Sequence, residues 1–134
     1  VRLAIDAEDV ALIHGPPGTG KTYTIARIVQ ELVERGDSVL LSAFTNRAVD
    51  NALEAVRERG VTDVARVGTR HGVREDMLDV RLDQGGEPNE RAAALRDSAV
   101  VAALIQPHVQ HILADAVTGP DPGDIGDGAL SHCF

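Results

Sequence analysis

The chain has 134 residues, enough for one domain with a real core and too few for two ordinary ones. Its hydrophobic share of 43% and charged share of 25% exclude wholesale disorder, and a formal net charge of -8 excludes a generally basic surface that coats nucleic acid, though not a local basic groove. A single cysteine, Cys133, excludes an internal disulfide, and no apolar run reaches the roughly 18 residues that span a bilayer.

The opening segment carries Asp6, Glu8 and Asp9 rather than the basic start of a signal peptide, so a cytoplasmic protein with no membrane partner is expected. Aromatic residues make up 2% of the chain (Tyr23, Phe44 and Phe134), so the core must be aliphatic.

In chain order, Val10 to His14 (V-A-L-I-H) is a short apolar run ended by glycine and proline, the pattern of a strand buried on both faces. Thr22 to Arg35 reads as a helix, with Ile25, Ile28, Val29, Leu32 and Val33 at helical spacing and Gly36 placed to end it. Ser38 to Phe44 is predicted as a second strand. Thr45 or Asn46 can cap a second helix with apolar positions Val49, Ala52, Leu53 and Val56, stopped by Gly60. Asp63 to Val67 is a third, shorter strand. The order β-α-β-α-β with short connections predicts an α/β fold built on a parallel sheet with right-handed crossovers.

Gly68 to Glu90 has no sustained periodicity, although Met77, Leu78, Val80 and Leu82 can pack as a short segment. Pro88 suits the first turn of a helix through Ala92 to Leu95, and Ala99 to Ile105 reads as a fourth buried strand. Beyond Pro107 the pattern deteriorates, and Thr118 to Gly128 has loop composition.

Gly15-Pro16-Pro17-Gly18-Thr19-Gly20-Lys21-Thr22 matches the phosphate-loop pattern G-x-x-x-x-G-K-[ST] in full. It stands between a predicted buried strand and an amphipathic helix, where the chemistry needs it. Glycines let the backbone curl so that successive N–H groups face phosphate oxygens, and the helix N-terminus adds partial positive charge to the same spot. Lys21 brings a full charge to the β- and γ-phosphates, and the Thr22 hydroxyl suits Mg²⁺. The candidate nucleotide-binding residues are therefore Gly15, Pro16, Pro17, Gly18, Thr19, Gly20, Lys21, Thr22 and Tyr23, with Lys21 and Thr22 nearest the chemistry and ATP and Mg²⁺ as the cofactors. The competing reading is a chance glycine-rich turn. The loop alone does not name a reaction, since kinases, GTPases and ATP-driven machines share it.

The segment Ser42-Ala43-Phe44-Thr45-Asn46-Arg47-Ala48-Val49-Asp50-Asn51 lies at a predicted strand end and helix start. Ligands gather at that edge in open α/β sheets, and hydroxyl, amide and helix N–H donors suit a phosphodiester backbone. Here the chain resembles superfamily 1 helicases, in particular the group that includes the nonsense-mediated-decay helicase and its DNA-processing relatives. In that group the phosphate loop is followed by an A-P-T-N-x-A-V-D-N segment that contacts single-stranded nucleic acid; Phe44 stands where the family usually has proline. Arg66-Val67-Gly68-Thr69 resembles the next family element, R-(V/L)-G, which also lies along the bound strand, and Ala99 to Ala103 resembles the strand after it.

The resemblance implies a P-loop NTPase of RecA-like fold, a parallel sheet with helices on both faces, incomplete in this chain. Residues 1–105 would form part of an ATP-binding helicase lobe, with residues 106–134 an atypical tail expected to be poorly ordered. It further implies single-stranded DNA or RNA as partner, with Thr45, Asn46, Arg47, Asn51, Arg66 and Gly68 as the contacts. The ordinary alternative for Thr45 to Asn51 is a capped helix with Val49 in the core and Asp50 and Asn51 solvated.

Helicases of this type hold Mg²⁺ and orient water with Asp-Glu after an apolar strand, and here Asp63, Asp79, Asp115 and Asp124 are not followed by Glu. The second motor lobe with its arginine finger, and the upstream glutamine that selects adenine, are also expected to be missing. ATP binding without autonomous unwinding is the expected activity. The alternatives are an AAA+ or other P-loop ATPase, which often carries the same loop, and a non-catalytic nucleotide-binding relic. A nucleotide kinase would want an acceptor site and a basic lid, and neither is recognisable.

Weaker constellations are a zinc set from His108, His111, His132 and Cys133, against surface histidines in a frayed tail, and a basic cluster of Arg70, His71 and Arg74, against a solvated loop.

Overall fold

A computed structural model describes residues 1–7, 10–82, 88–104 and 132–133. The elements in chain order are α1 (Arg2–Ile5), α2 (Lys21–Glu34), β1 (Val39–Ala43), α3 (Asn46–Glu58), β2 (Val64–Val67), a 3-10 helix (Glu75–Val80), β3 (Arg81–Leu82), α4 (Pro88–Asp97), β4 (Val100–Leu104) and β5 (His132–Cys133). The strands form one sheet in the order β3-β2-β4-β1-β5, every neighbouring pair parallel. Placing β4 between β1 and β2 brings the ends of β1 and β2 to one edge, because Ala43 lies beside Leu104 and Val67 beside Ala103.

The helices cover both faces, as the fold class requires. On one face Ile28, Val29 and Leu32 of α2 and Val49, Leu53 and Val56 of α3 bury against Val39, Leu41, Val64, Val100 and Ala102 of the sheet. On the other, Leu95 of α4 packs with Val67, Val101 and Ala103. Strands buried on both sides alternate faces without alternating polarity, so β4 reads V-V-A-A-L. The end of α2 is a Schellman motif: Asp37 N–H donates to Leu32 O at 3.1 Å and Gly36 N–H to Val33 O at 2.9 Å, with Gly36 at φ 90°.

Two segments depart from expectation. Val10 to His14 is not a strand: Val10 and Leu12 are 84% and 91% exposed, and only Ile13 packs partly against the core. An apolar run carries a tendency to bury but not a partner, and among the described residues the edge of β1 away from β4 is paired only with β5, over two residues. The aperiodic stretch after Gly68, by contrast, supplies both the 3-10 helix, with Met77 buried, and β3, which extends the sheet beside β2. Apart from His132 and Cys133, which pair along β1 as β5, the predicted tail lies outside the described residues, and with it the proposed zinc set. No described helix is long and apolar enough to cross a membrane.

Candidate functional site

The phosphate loop runs exposed from Pro16 to Gly20 into the first turn of α2, whose N-cap is Gly20. Gly18 and Gly20 have φ of 80° and 81°, a left-handed conformation that side-chain-bearing residues rarely adopt. Gly15 is small for another reason, since a Cβ there would lie 2.7 Å from Thr19 Oγ1. The Thr19 hydroxyl donates to Pro16 O at 2.8 Å and tightens the turn.

Lys21 folds over the loop, its ammonium donating to Gly15 O at 2.6 Å and Pro16 O at 2.8 Å. Pro16 and Pro17 have no N–H to offer, so the donors for a phosphate begin at Gly18 and continue into α2, whose first N–H groups have no intrahelical acceptor. This donor set fits a triphosphate. The glycine conformations leave the backbone open, the helix start faces the same space, and the ammonium can exchange two carbonyls for phosphate oxygens.

Thr22 is exposed, in the first turn of α2. Tyr23 is 64% exposed and carries the Arg59 guanidinium over its ring, 4.5 Å from the centroid. That stacking occupies one face of the ring and leaves part of it open to solvent.

The second group of predicted residues gathers at the shared edge of β1 and β2. Thr45 is the N-cap of α3, its Oγ1 accepting from Ala48 N–H at 3.2 Å, which satisfies one of the free donors at the helix start. Thr45, Arg47 and Asn51 are exposed and Asn46 is half-buried. Asn51 Oδ1 accepts from Arg74 Nη1 at 3.1 Å. Gly68 is half-buried, and its carbonyl accepts from Arg81 Nη1 at 3.3 Å.

Arg66 is different. It is fully buried, and the expected direct contact with a strand gives way to an internal one. Its Nε donates to Asp50 Oδ1 at 2.7 Å, its Nη1 to Val67 O at 2.6 Å and its Nη2 to Asn46 Oδ1 at 3.0 Å. Arginine is seldom buried unless paired, and here α3 supplies the partner.

Arg74 is likewise engaged. Hydrogen bonds to Asp76 and then Glu54 push its already high pKa further up, while Arg74 holds the Asp76 carboxyl below the usual carboxylate range. Of the basic cluster, Arg70 and His71 are exposed, whereas Arg74 serves the protein's own carboxylates.

Phe44 is a residue whose potential the sequence reading passed over. It is 84% exposed directly before the cap of α3, so an aromatic face stands at the edge where the polar donors gather. The signal was available: a large aromatic at the position of the family's proline, in a chain with very few aromatics.

The AAA domain family profile matches residues 1–111. The chain is 40% identical over 83 residues to the DNA polymerase alpha-associated DNA helicase A of Schizosaccharomyces pombe, covering 62% of this chain and 12% of that protein. It is 49% identical over 70 residues to the DNA replication ATP-dependent helicase/nuclease DNA2 of Saccharomyces cerevisiae, covering 52% of this chain and 4% of that protein. An uncharacterized ATP-dependent helicase of Methanocaldococcus jannaschii is 38% identical over 102 residues, covering 72% of this chain and 15% of its own length. The chain thus spans a small part of each of these relatives.

Proposed function

This chain belongs to the AAA domain family and corresponds to an N-terminal motor region of superfamily 1 helicase type, and from that premise we propose that it binds MgATP and a single strand of DNA or RNA as part of an ATP-dependent helicase. Gly15 to Thr22 hold the triphosphate. Backbone N–H groups from Gly18 onward and the Lys21 ammonium meet the phosphate oxygens, and Thr22 Oγ1 is the protein ligand for Mg²⁺, which when bound neutralises phosphate charge. Tyr23 lies beside the nucleotide. Thr45, Asn46, Arg47 and Asn51 face the nucleic-acid strand from the start of α3, and Gly68 borders the same edge.

The observation that carries this reading is the position of Lys21, bound at 2.6 and 2.8 Å to the two carbonyls that open the loop, above glycines in left-handed conformation. A cation so placed has given up water for two neutral acceptors and gains strongly when a polyanion replaces them. Lys21→Ala is expected to abolish binding of a fluorescent ATP analogue in the presence of Mg²⁺ while leaving the melting temperature near that of the parent. Unchanged nucleotide affinity in this variant would sink the assignment.

The relatives' names speak of DNA, which favours DNA over RNA as the first strand to test. With a net charge of -8, binding must come from a local set of donors rather than the whole surface. Affinity for single-stranded oligonucleotide is therefore expected to fall only gently with salt, with a slope set by few phosphate contacts.

A further inference from the structure

The nucleic-acid reading uses side chains at the surface of α3 and leaves its best-buried polar group without a role. Arg66 and Asp50 are both out of water, with side chains 0% and 4% exposed and 2.7 Å apart. Their remaining hydrogen-bonding capacity goes to three separate pieces of chain. Arg66 reaches Asn46 at the start of α3 and the Val67 carbonyl at the end of β2, while Asp50 Oδ2 accepts the backbone N–H of Arg74 at 3.1 Å. The pair therefore ties the start of α3, the end of β2 and the loop from Gly68 to Arg74 into one unit.

A guanidinium only donates, so of the two ends of the Asn46 amide it must select Oδ1. The amide's NH₂ then faces away from the pair, toward Gly72, where a Cβ would lie 3.0 Å from Asn46 Nδ2. The absence of a side chain at Gly72 leaves room for the amide there, and a Cβ would crowd it. Arg66 thus decides which end of the Asn46 amide is left for another acceptor, and it is the end that can donate to a phosphate or base oxygen.

We propose that the buried Arg66–Asp50 pair is a positioning device for single-stranded nucleic acid: it orients Asn46 with its amide donors toward the strand and docks the loop from Gly68 to Arg74 against α3. Arg66 acts through Asn46 and touches no nucleotide. This rests on the reading that the start of α3 faces nucleic acid.

A pair kept only for stability behaves differently from one kept for orientation. Replacing a buried ion pair by apolar residues of similar volume is commonly neutral or stabilising, whereas removing one partner is strongly destabilising. The test uses the 134-residue chain and three measurements: thermal midpoint, affinity for a fluorescent ATP analogue, and affinity for fluorescein-labelled oligothymidylate by anisotropy.

The double variant Asp50→Leu/Arg66→Met, which leaves the Val67 carbonyl and the Arg74 N–H without these partners, is expected to melt lower, to keep nucleotide affinity and to lose about tenfold in oligothymidylate affinity, the worth of a well-made hydrogen bond. Asn46→Ala in the parent is expected to lose a similar factor, and adding it to the double variant to cost nothing more, because the two act through one contact. Arg66→Lys keeps the charge but not the fork of donors, so it is expected to lose oligothymidylate affinity with nucleotide affinity intact even if the double variant fails to fold.

Oligothymidylate affinity equal to the parent's in Arg66→Lys or in the double variant, or losses that simply add with Asn46→Ala, would overturn the positioning role. A parent chain that binds nucleotide but no oligonucleotide would overturn the underlying nucleic-acid reading instead.

Discussion

Glycine serves two distinct ends in the candidate sites, and they predict different failures. At Gly18 and Gly20 the backbone conformation itself demands glycine, with no neighbour in the way. At Gly68 the space demands it: a Cβ would lie 2.8 Å from Val73 Cγ2 and 3.2 Å from Arg66 Nη1. Gly68→Ala must therefore displace a buried valine or the buried guanidinium, and overpacking of this kind costs about 1–3 kcal/mol. A thermal melt should show a drop of several degrees in the midpoint, with nucleotide affinity retained; an unshifted melt would show that the contact yields freely. The sequence identified R-V-G as a unit worth noticing, through its resemblance to a helicase element. It could not show that the arginine faces inward, because the partner that permits this, Asp50, lies sixteen residues earlier on another element.

Among the elements, α3 best joins local code to packing. Its start is written in Thr45, whose hydroxyl accepts from Ala48 N–H, and its inner face in Val49, Leu53 and Val56, all fully buried. Burying each of those side chains contributes about 1.5–3 kcal/mol, more than the cap, which is worth about 1 kcal/mol. Thr45→Ala is accordingly expected to leave the fold intact and lower stability by about 1 kcal/mol, read from denaturant unfolding as a shifted midpoint with an unchanged slope. A change in slope would mean that more than the cap had been lost.

The boundaries of α2, α3, β1, β2, α4 and β4 lie within a residue or two of the sequence reading, since caps, glycine stops and apolar spacing are local signals. The run from Val10 to His14 shows the reverse case. Its composition suits a buried strand, but strand formation needs a neighbour, and the described sheet pairs none with it.

For the molecule as a whole, the chemistry expected of the isolated chain is binding rather than turnover. No aspartate in the sequence is followed by glutamate, so the carboxylate pair that would hold Mg²⁺ and orient water is not recognisable. ATP hydrolysis by the 134-residue chain is expected to stay well below about one turnover per second, with or without oligothymidylate, in a coupled phosphate-release assay. A rate at or above that would show that another carboxylate does this work. What the sequence by itself determined was local: the phosphate loop, the caps and stops of the helices, the hydrophobic rhythm of three sheet strands, and a family resemblance that the profile match to residues 1–111 upholds. Those features are encoded by residues within one or two turns of each other. The tertiary structure alone decided the strand order, the short β3 beside β2, the exposure of Val10 to Leu12 and the inward turn of Arg66 toward Asp50 and Asn46. Each of these depends on which distant segments meet, and in a sheet closed by long-range parallel pairing no local stretch of chain carries that information.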